Sequence, residues 1–394
     1  MKKNIKDFDV RNKVVIVRCD YNVPMKNGII MDDSRIRASL KTINYLRDNG
    51  AKIVIFSHLG KIKCKDDLTN NTLYPVSIRL GELLGIEVKF SYDTRSDNLT
   101  SMVKKLKIGE VLLVENTRYE DLDGKKESGC DLDLAAYWAS LGDIFINDAY
   151  GTCHRKHASN VGIAKYLDSG LGFLVCQEIE KLDGILNIDT HPFVVVMGGS
   201  KVSDKIKLIE NLINKCDKLI IGGGMAYTFL KSLGYDVGNS LVDKESLDFC
   251  TLMLNNYKEK IILPVDSVVT ESLDSNGSCI KKMGDFGNKD IGVDIGPDTI
   301  RLFKDVLSDA KRVIVNGPMG IFENASYSNG TYQIFKYLAD NRIKTLVGGG
   351  DSTMAVNKFN LSESFYHVST GGGATLEYLE GKVLPGIEVI ADEE

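Results

Sequence analysis

Four times in the second half of the chain, an apolar run of strand character ends directly in glycine. FVVVM precedes Gly198-Gly199, LII precedes Gly222-Gly223-Gly224, TLV precedes Gly348-Gly349-Gly350, and FYHVST precedes Gly371-Gly372-Gly373. In three of the four, residues able to start a helix follow at once. A strand that turns through glycine into a helix directs backbone N–H groups toward one point, and the missing Cβ lets an anion come close. Four such corners on one parallel sheet would line its carboxyl edge, where ligands of open α/β sheets bind. The pattern predicts a phosphate or nucleotide site.

The rest of the sequence fits an α/β chain. Strand-like runs at 14–17, 53–56, 111–114 and 144–146 alternate with helical spacings of Ile36, Ile43 and Leu46, then of Leu132, Leu134, Trp138 and Leu141. Further strands are expected at 193–197, 218–221, 261–263, 313–315, 345–347 and 365–368. A helix over 202–215 places Ile206, Ile209, Leu212 and Ile213 on one face. Near-continuous apolar strands alternating with helices imply parallel sheets covered on both faces. At 394 residues the chain is long enough for roughly two to three domains. Two glycines at 168–172 break the pattern, a helical stretch runs from about 173 to 186, and His191-Pro192 restarts it. The expected division is a first domain over 1–170, a joining helix over 171–187 and a second domain over 188–380. A tail over 381–394, broken by Pro385-Gly386, is expected to leave helix and pack back onto the first domain.

Composition excludes several classes. A net charge of −5 gives no reason to expect nucleic acid or a membrane as partner, and no run of 18 apolar residues exists. The N-terminal residues lead into charge rather than a signal segment. Eight scattered cysteines with no C-x-x-C pair suggest neither a disulfide framework nor a zinc ribbon, so a reduced, cytoplasmic protein is expected.

Two groups of residues could carry chemistry. In the second half no P-loop and no G-x-G-x-x-G fingerprint occurs. Instead Gly199-Ser200-Lys201 and Lys205 place two lysines in a first helical turn, where they oppose the helix dipole. Holding phosphate oxygens would explain them; solvated surface lysines explain this segment equally well. Gly350-Asp351-Ser352-Thr353 puts a carboxylate and hydroxyls at a helix start. Asp351 could hold Mg²⁺, although an ordinary capping aspartate is what the spacing alone favours. Glu323, after Asn316-Gly317-Pro318, could bond ribose hydroxyls or simply be solvated.

The first half has polar and cationic groups at strand ends: Arg18 with Asp20 and Asn22, His58, Glu115 with Arg118, and His154 with Arg155 and His157. Arg35 stands at a helix start nearby. Strand ends of a parallel sheet share one edge, so these groups could converge on a small anion, for which the planar fork of arginine is suited. Taken singly, each reads as a surface ion pair. Cys153, His154 and His157 could suggest zinc, but no second ligand pair accompanies them.

With these segments in order, the chain resembles the phosphoglycerate kinase family over nearly its whole length. The stretches are VRCDYNVP, DDSRIRA, SHLG, VENTRYE, NDAYGTCHRKHAS, GGSKVSDK, GGGMAYTFL, VNGPMGIFE, GGGDST and STGGGATLEYLEGKVLPG. The resemblance implies two Rossmann-like domains with parallel sheets, joined by a helix and facing across a hinged cleft, in a monomer. It implies reversible phosphoryl transfer between 1,3-bisphosphoglycerate and MgADP, giving 3-phosphoglycerate and MgATP. Asp20, Asn22, Arg35, His58, Lys61, Arg118 and Arg155 would bind the triose. Gly199, Lys201, Lys205, Gly223, Glu323, Gly350, Asp351, Ser352 and Thr353 would bind the nucleotide, with Asp351 nearest the Mg²⁺. Arg35, Lys201, Gly372 and Gly373 would meet the transferring group, and Ser369 and Thr370 fall where the family's hinge lies. One departure stands out: Lys61-Ile62 follows Gly60 where the family has Arg-Pro, which keeps a charge but loses the bidentate fork. Tyr21, Tyr119 and Tyr150 stand where phenylalanine is common. Two other classes compete with this reading. A nicotinamide-dependent oxidoreductase lacks its glycine fingerprint here. A non-catalytic nucleotide binder is opposed by the presence of Arg35, Lys201 and Asp351 together.

Overall fold

Because successive strand side chains point to opposite faces, a strand buried on both faces must be apolar at every position. The first sheet follows this rule along the middle of its central strands, and polar residues such as Arg18, Asn147 and Asp148 enter only at their carboxyl ends. Its central strand β1 (Val14–Cys19) sends Val15 and Val17 into one core and Ile16 into the other. A short hairpin, β2 (Met25–Lys26) and β3 (Ile29–Ile30), follows, and then β4 (Lys52–Phe56), β5 (Val88–Ser91), β6 (Val111–Val114), β7 (Ile144–Asp148) and β8 (Asp168–Leu171). The six longer strands form a sheet in the order β5-β6-β4-β1-β7-β8, every neighbouring pair parallel. One face packs on Ile36, Ile43 and Leu46 of the helix Ser34–Asp48, the other on Leu134 and Trp138 of the helix Leu132–Ala139.

The second sheet contains β9 (Phe193–Met197), β10 (Lys218–Ile221) and β11 (Ile261–Ile262). The chain then makes β12 (Asp266–Thr270), β13 (Cys279–Lys282) and β14 (Ile291–Ile295) before β15 (Arg312–Asn316), β16 (Lys344–Gly348) and β17 (His367–Val368). The parallel order is β11-β10-β9-β15-β16-β17, while β13-β12-β14 is a separate antiparallel sheet. The helix Ile206–Ile213 buries Leu208, Ile209, Leu212 and Ile213, preceded by a 3₁₀ turn at Ser203–Lys205. It is therefore shorter than the expected 202–215. The computed structural model describes residues 1–187, 189–274 and 277–393. Among these, no helix is long and apolar enough to cross a membrane.

The α/β architecture, with parallel sheets covered on both faces, is that expected, with three differences. The strand β5 carries Lys89 and is only partly buried at the sheet's edge, so no apolar run announces it. At 168–172, where glycines suggested a break, β8 extends the first sheet. Gly170 is needed there because a Cβ would meet the Phe8 ring at 2.6 Å and the Asn4 backbone at 3.1 Å. The antiparallel sheet β12–β14 was not foreseen; it encloses its own small core of Tyr227, Val237, Val269 and Phe286.

The chain divides into two compact units, one of Met1–Ile179 with Val383–Glu394 and one of Glu180–Lys382. The helix Phe173–Leu186 runs through the division. Residues after Val383 are tied to the first unit by backbone bonds from Lys3 N to Ala391 O (2.9 Å) and Gly386 N to Cys153 O (2.8 Å). The buried Asn147 amide adds a bond to Gly386 O (2.9 Å). The start of the joining helix is held by Asp148, which accepts from Leu174 N at 2.9 Å.

Burial pushes the Asp148 acid up to about 7, with hydrogen bonds from Thr42 and the helix start pulling the other way. Its folded-state pKa therefore lies above the unfolded value of about 3.9. The resulting stabilisation is complete below about pH 4 and is lost as pH rises through about 7. Asp148→Asn mimics the protonated acid. It is expected to flatten stability between those pH values, a difference of up to about 4 kcal/mol. Denaturant midpoints measured at several pH values check this, and parallel curves for variant and wild type would refute it.

Candidate active site

In the second unit, four strand-end loops come together at the carboxyl edge of β10, β9, β15 and β16. Those after β9, β10 and β15 are in backbone contact. Gly199 N donates to Pro318 O (3.0 Å), Gly223 N to Met319 O (3.1 Å), and Met225 N to Gly199 O (3.0 Å). Gly317 has φ +105°, and a Cβ on it would lie 2.2 Å from Gly198 O. Gly223 has φ +64°, and a Cβ on it would lie 2.7 Å from Gly199 N and 2.8 Å from Pro318 O. The glycine corners thus serve first to let loops touch. The N–H groups of Gly199 and Gly223 are engaged between loops rather than free, because the loops approach too closely to leave them open. Groups open to a ligand lie instead at the start of the helix Gly350–Lys358, whose first N–H groups have no partner within their own helix.

Two cavities flank these loops. The smaller, about 150 Å³, is lined by Gly199, Lys201, Asp204, Lys205, Gly350 and Asp351, with Asn316 and Ser352 in its wall. Burial pulls the Lys205 ammonium below its ordinary pKa, against Asp351, Asp204 and Glu380. Its Nζ donates to Asn316 Oδ1, and the Asn316 amide donates in turn to Gly348 O (3.1 Å). Ser352 is buried, and its hydroxyl accepts from Gly317 N at 2.6 Å. Thr353 turns its hydroxyl back to Gly349 O (3.1 Å). The larger cavity, about 470 Å³, shares Gly199 and Asp351 and adds Gly223, Tyr227, Leu241, Leu273 and Glu323. Tyr227 is fixed by Ser267 (2.5 Å between oxygens). A small polar pocket lined by both cations and carboxylates thus adjoins a larger, more apolar one, with Glu323 on the latter's wall. Gly372, at φ +50°, precedes the helix Gly373–Leu379, and Ser369 is held by Thr375 (2.5 Å).

In the first unit, the loops after β1, β4 and β6 are laced by side chains. Tyr21 N donates to Ser57 Oγ (2.8 Å), Gly60 N to Asn22 Oδ1 (2.9 Å), and Leu59 N to Asn116 Oδ1 (3.1 Å). Asp20 and Arg35 form an ion pair, Nη1 to Oδ2. Burial alone would raise the Asp20 carboxyl, but its cationic neighbours, Arg35 and Arg18 among them, hold it below the usual range. Burial pushes the His58 imidazole down to about 3, opposed by Asp20 and reinforced by Arg18, Arg118 and Arg35. His58 is therefore neutral at physiological pH.

Arg118 pairs with Asp121 (3.3 Å) and lines a cavity of about 740 Å³ with Lys61, Lys63 and Lys125. Asn22 lies on a neighbouring cavity of about 440 Å³ with Leu59 and Gly60. Arg155 is exposed and bonds His154 through Nε (3.1 Å). No sequence motif gave Asn116 or Asn316 a role. The available signal was position: each is the polar residue where a buried strand meets its loop.

Adding a methyl group at Gly223 forces the loops apart. Gly223→Ala is expected to destabilise the second unit by about 1–3 kcal/mol, read as a lower midpoint of thermal unfolding. An unchanged midpoint would mean that the loop contact is not needed.

The phosphoglycerate kinase family model matches residues 5–382. The chain is 48% identical to phosphoglycerate kinase of Macrococcus caseolyticus over 395 residues, covering 100% of both chains. It is 50% identical to that of Staphylococcus aureus over 391 residues, covering 99% of each. Among solved structures, phosphoglycerate kinase from Coxiella burnetii superposes with a TM-score of 0.88 at 37% identity, covering 99% of this chain and 98% of that one. The Pyrococcus horikoshii enzyme gives 0.84 at 31%, covering 98% of both. Glycine-laced loops in one unit, a cationic strand edge in the other and end-to-end likeness lead to one conclusion: the chain belongs to the phosphoglycerate kinase family.

Proposed function

We propose that the cationic edge of the first unit binds 3-phosphoglycerate or 1,3-bisphosphoglycerate and the glycine-lined edge of the second binds ADP or ATP. The reaction is the reversible phosphoryl transfer of glycolysis between 1,3-bisphosphoglycerate and ADP. The observation that carries the assignment of sites is the small cavity where Lys201, Lys205 and Asp351 meet over Gly199 and Gly350. It has cations for phosphate oxygens, a helix start and a carboxylate in one place. In this reading Lys201, Lys205, Gly223, Ser352 and Thr353 hold or shape the nucleotide site, and Glu323 meets the ribose. Asp20, Asn22, Arg35, His58, Lys61, Arg118 and Arg155 hold the triose. The protein acts as a monomer in the cytoplasm.

Asp351, with Asp204 across the cavity, fits a hard cation that takes one or two carboxylates and phosphate oxygens. Mg²⁺ held at Asp351 would neutralise charge on the nucleotide phosphates. In the ATP-consuming direction a carboxylate oxygen of 3-phosphoglycerate attacks the γ-phosphorus, and the bond to the β-phosphate oxygen breaks. That carboxylate is ionised at neutral pH, so no general base is required. Catalysis rests on alignment and charge stabilisation. Arg35 and Lys201 meet the transferring group from the two ligands' sides, and N–H groups at Gly372 and Gly373 take its equatorial oxygens. Because each ligand has its own unit, transfer requires closure, with bending at the joining helix and near Ser369 and Thr370.

Acyl phosphate formed from MgATP and 3-phosphoglycerate, trapped with hydroxylamine as the hydroxamate, tests the reading directly. Signal is expected only with both substrates and Mg²⁺. Arg35→Ala and Lys201→Ala should each lower kcat by about 10²- to 10³-fold. Arg35→Ala should still bind MgADP, and Lys201→Ala should still bind 3-phosphoglycerate, both by calorimetry. A near-normal kcat in either variant would remove that residue from the proposed chemistry.

A further inference from the structure

Behind His58 lies a chain of fully buried polar groups that the phosphoryl transfer itself does not use. Arg18, on β1, is 0% exposed, as are Ser159 and Glu127. Its guanidinium is engaged on every side. Nε donates to Ser159 Oγ (2.7 Å), Nη1 donates to the Cys19 carbonyl, and Nη2 lies 3.2 Å from His58 Nδ1. Ser159 in turn donates through Oγ to Glu127 Oε1 (2.5 Å) and through its backbone N–H to Oε2 (2.9 Å). Glu127 balances the arginine charge at 4.0 Å. The His157 ring, also buried, stands 3.8 Å from the same carboxylate oxygen.

A guanidinium has donors and no acceptor, so the imidazole nitrogen facing it must be the acceptor. The proton of the neutral ring is then on Nε2. Among the described residues no group bonds that nitrogen, so the N–H remains available to a ligand. We propose that Arg18 is a positioning residue that locks His58 in its neutral, Nε2-protonated tautomer, making it a fixed uncharged donor to an anionic group of the triose. The donor role rests on the placement of the triose at this edge; the tautomer lock does not.

The charges around His58 favour the neutral ring. Arg18 from β1, Arg35 from the following helix and Arg118 from the loop after β6 all disfavour a proton on Nδ1, and only Asp20 opposes them. Glu127 and His157 lie behind Arg18. An uncharged donor adds direction at this edge without adding another cation to those already there. It also keeps the contact independent of pH across the range in which an ordinary histidine titrates.

The test is a long-range proton–nitrogen correlation spectrum of the ligand-free protein labelled in its five histidines. The His58 signals are assigned by their loss in His58→Gln. Expected is a protonated Nε2 and an unprotonated Nδ1, unchanged between about pH 5.5 and 8. A protonated Nδ1, or titration with an ordinary midpoint, would overturn the proposal even if no Arg18 variant folds. Replacing Arg18 and Glu127 together, Arg18→Met with Glu127→Gln, removes the lock without leaving an unpaired charge. The spectrum should then show both His58 tautomers populated, while burial still holds the ring below its ordinary pKa. The KM for 3-phosphoglycerate should rise roughly tenfold, with a smaller change in kcat. A folded double variant with an unmoved His58 pattern would assign the lock to something other than Arg18. A wild-type signal of the expected tautomer that does not shift on saturation with 3-phosphoglycerate would uphold the lock and displace the triose from His58.

Discussion

Backbone contact between loops is the constraint on which the second unit depends. Three strand ends, at Gly198–Gly199, Gly222–Gly224 and Gly317–Pro318, approach closely enough for main-chain N–H and carbonyl groups to bond across them. At Gly198, Gly223 and Gly317 there is no room for a Cβ between them. This contact brings Asn316, Lys205 and the start of the helix Gly350–Lys358 around one small space. The glycines are therefore structural before they are functional. They build the walls of the anion site more than they supply its donors.

The first unit solves a similar problem with side chains. Asn22, Ser57 and Asn116 tie three loops together where the second unit uses bare backbone. The cations there are already partnered: Arg18 by Glu127, Arg35 by Asp20 and Arg118 by Asp121. Carboxylate partners hold the guanidinium planes in place before any ligand arrives, so less side-chain freedom is lost on binding. They also mean that an arriving anion must compete with Asp20 and Asp121. Such an edge favours ligands with several negative groups over any single anion.

Much of this was legible in the sequence, and the failures have physical causes. The central strands could be read because burial on both faces leaves no room for polar residues, as at Val15–Val17 and Val194–Val196. The strands β5 and β8 could not. Lys89 is tolerated because β5 lies at an edge, and Gly170 is required by Phe8 and Asn4, which are distant in sequence. The antiparallel sheet β12–β14 lies half exposed and lacks a long apolar run. At the sites, residue types at strand ends marked the two edges, since parallel strands deliver their ends together. What stayed hidden was which polar residues face inward. Arg18 reads in sequence as one more cation of the edge, yet it is buried and serves His58. Only tertiary contact with Ser159 and Glu127 reveals that.

Residues Val383–Glu394 belong to the first unit although the whole second unit precedes them in the chain. Glu393 N donates to Met1 O at 2.7 Å, so segments that flank the second unit in sequence lie side by side. On the ribosome the first unit is synthesised early but lacks the segment that covers Asn147 and Cys153 until synthesis of the second is finished. The second unit is continuous and can close on itself as soon as Lys382 has emerged. Birth order and completion order are thus reversed: the later-made half can reach its final form first, and the earlier one waits for the segment beyond Lys382 to return.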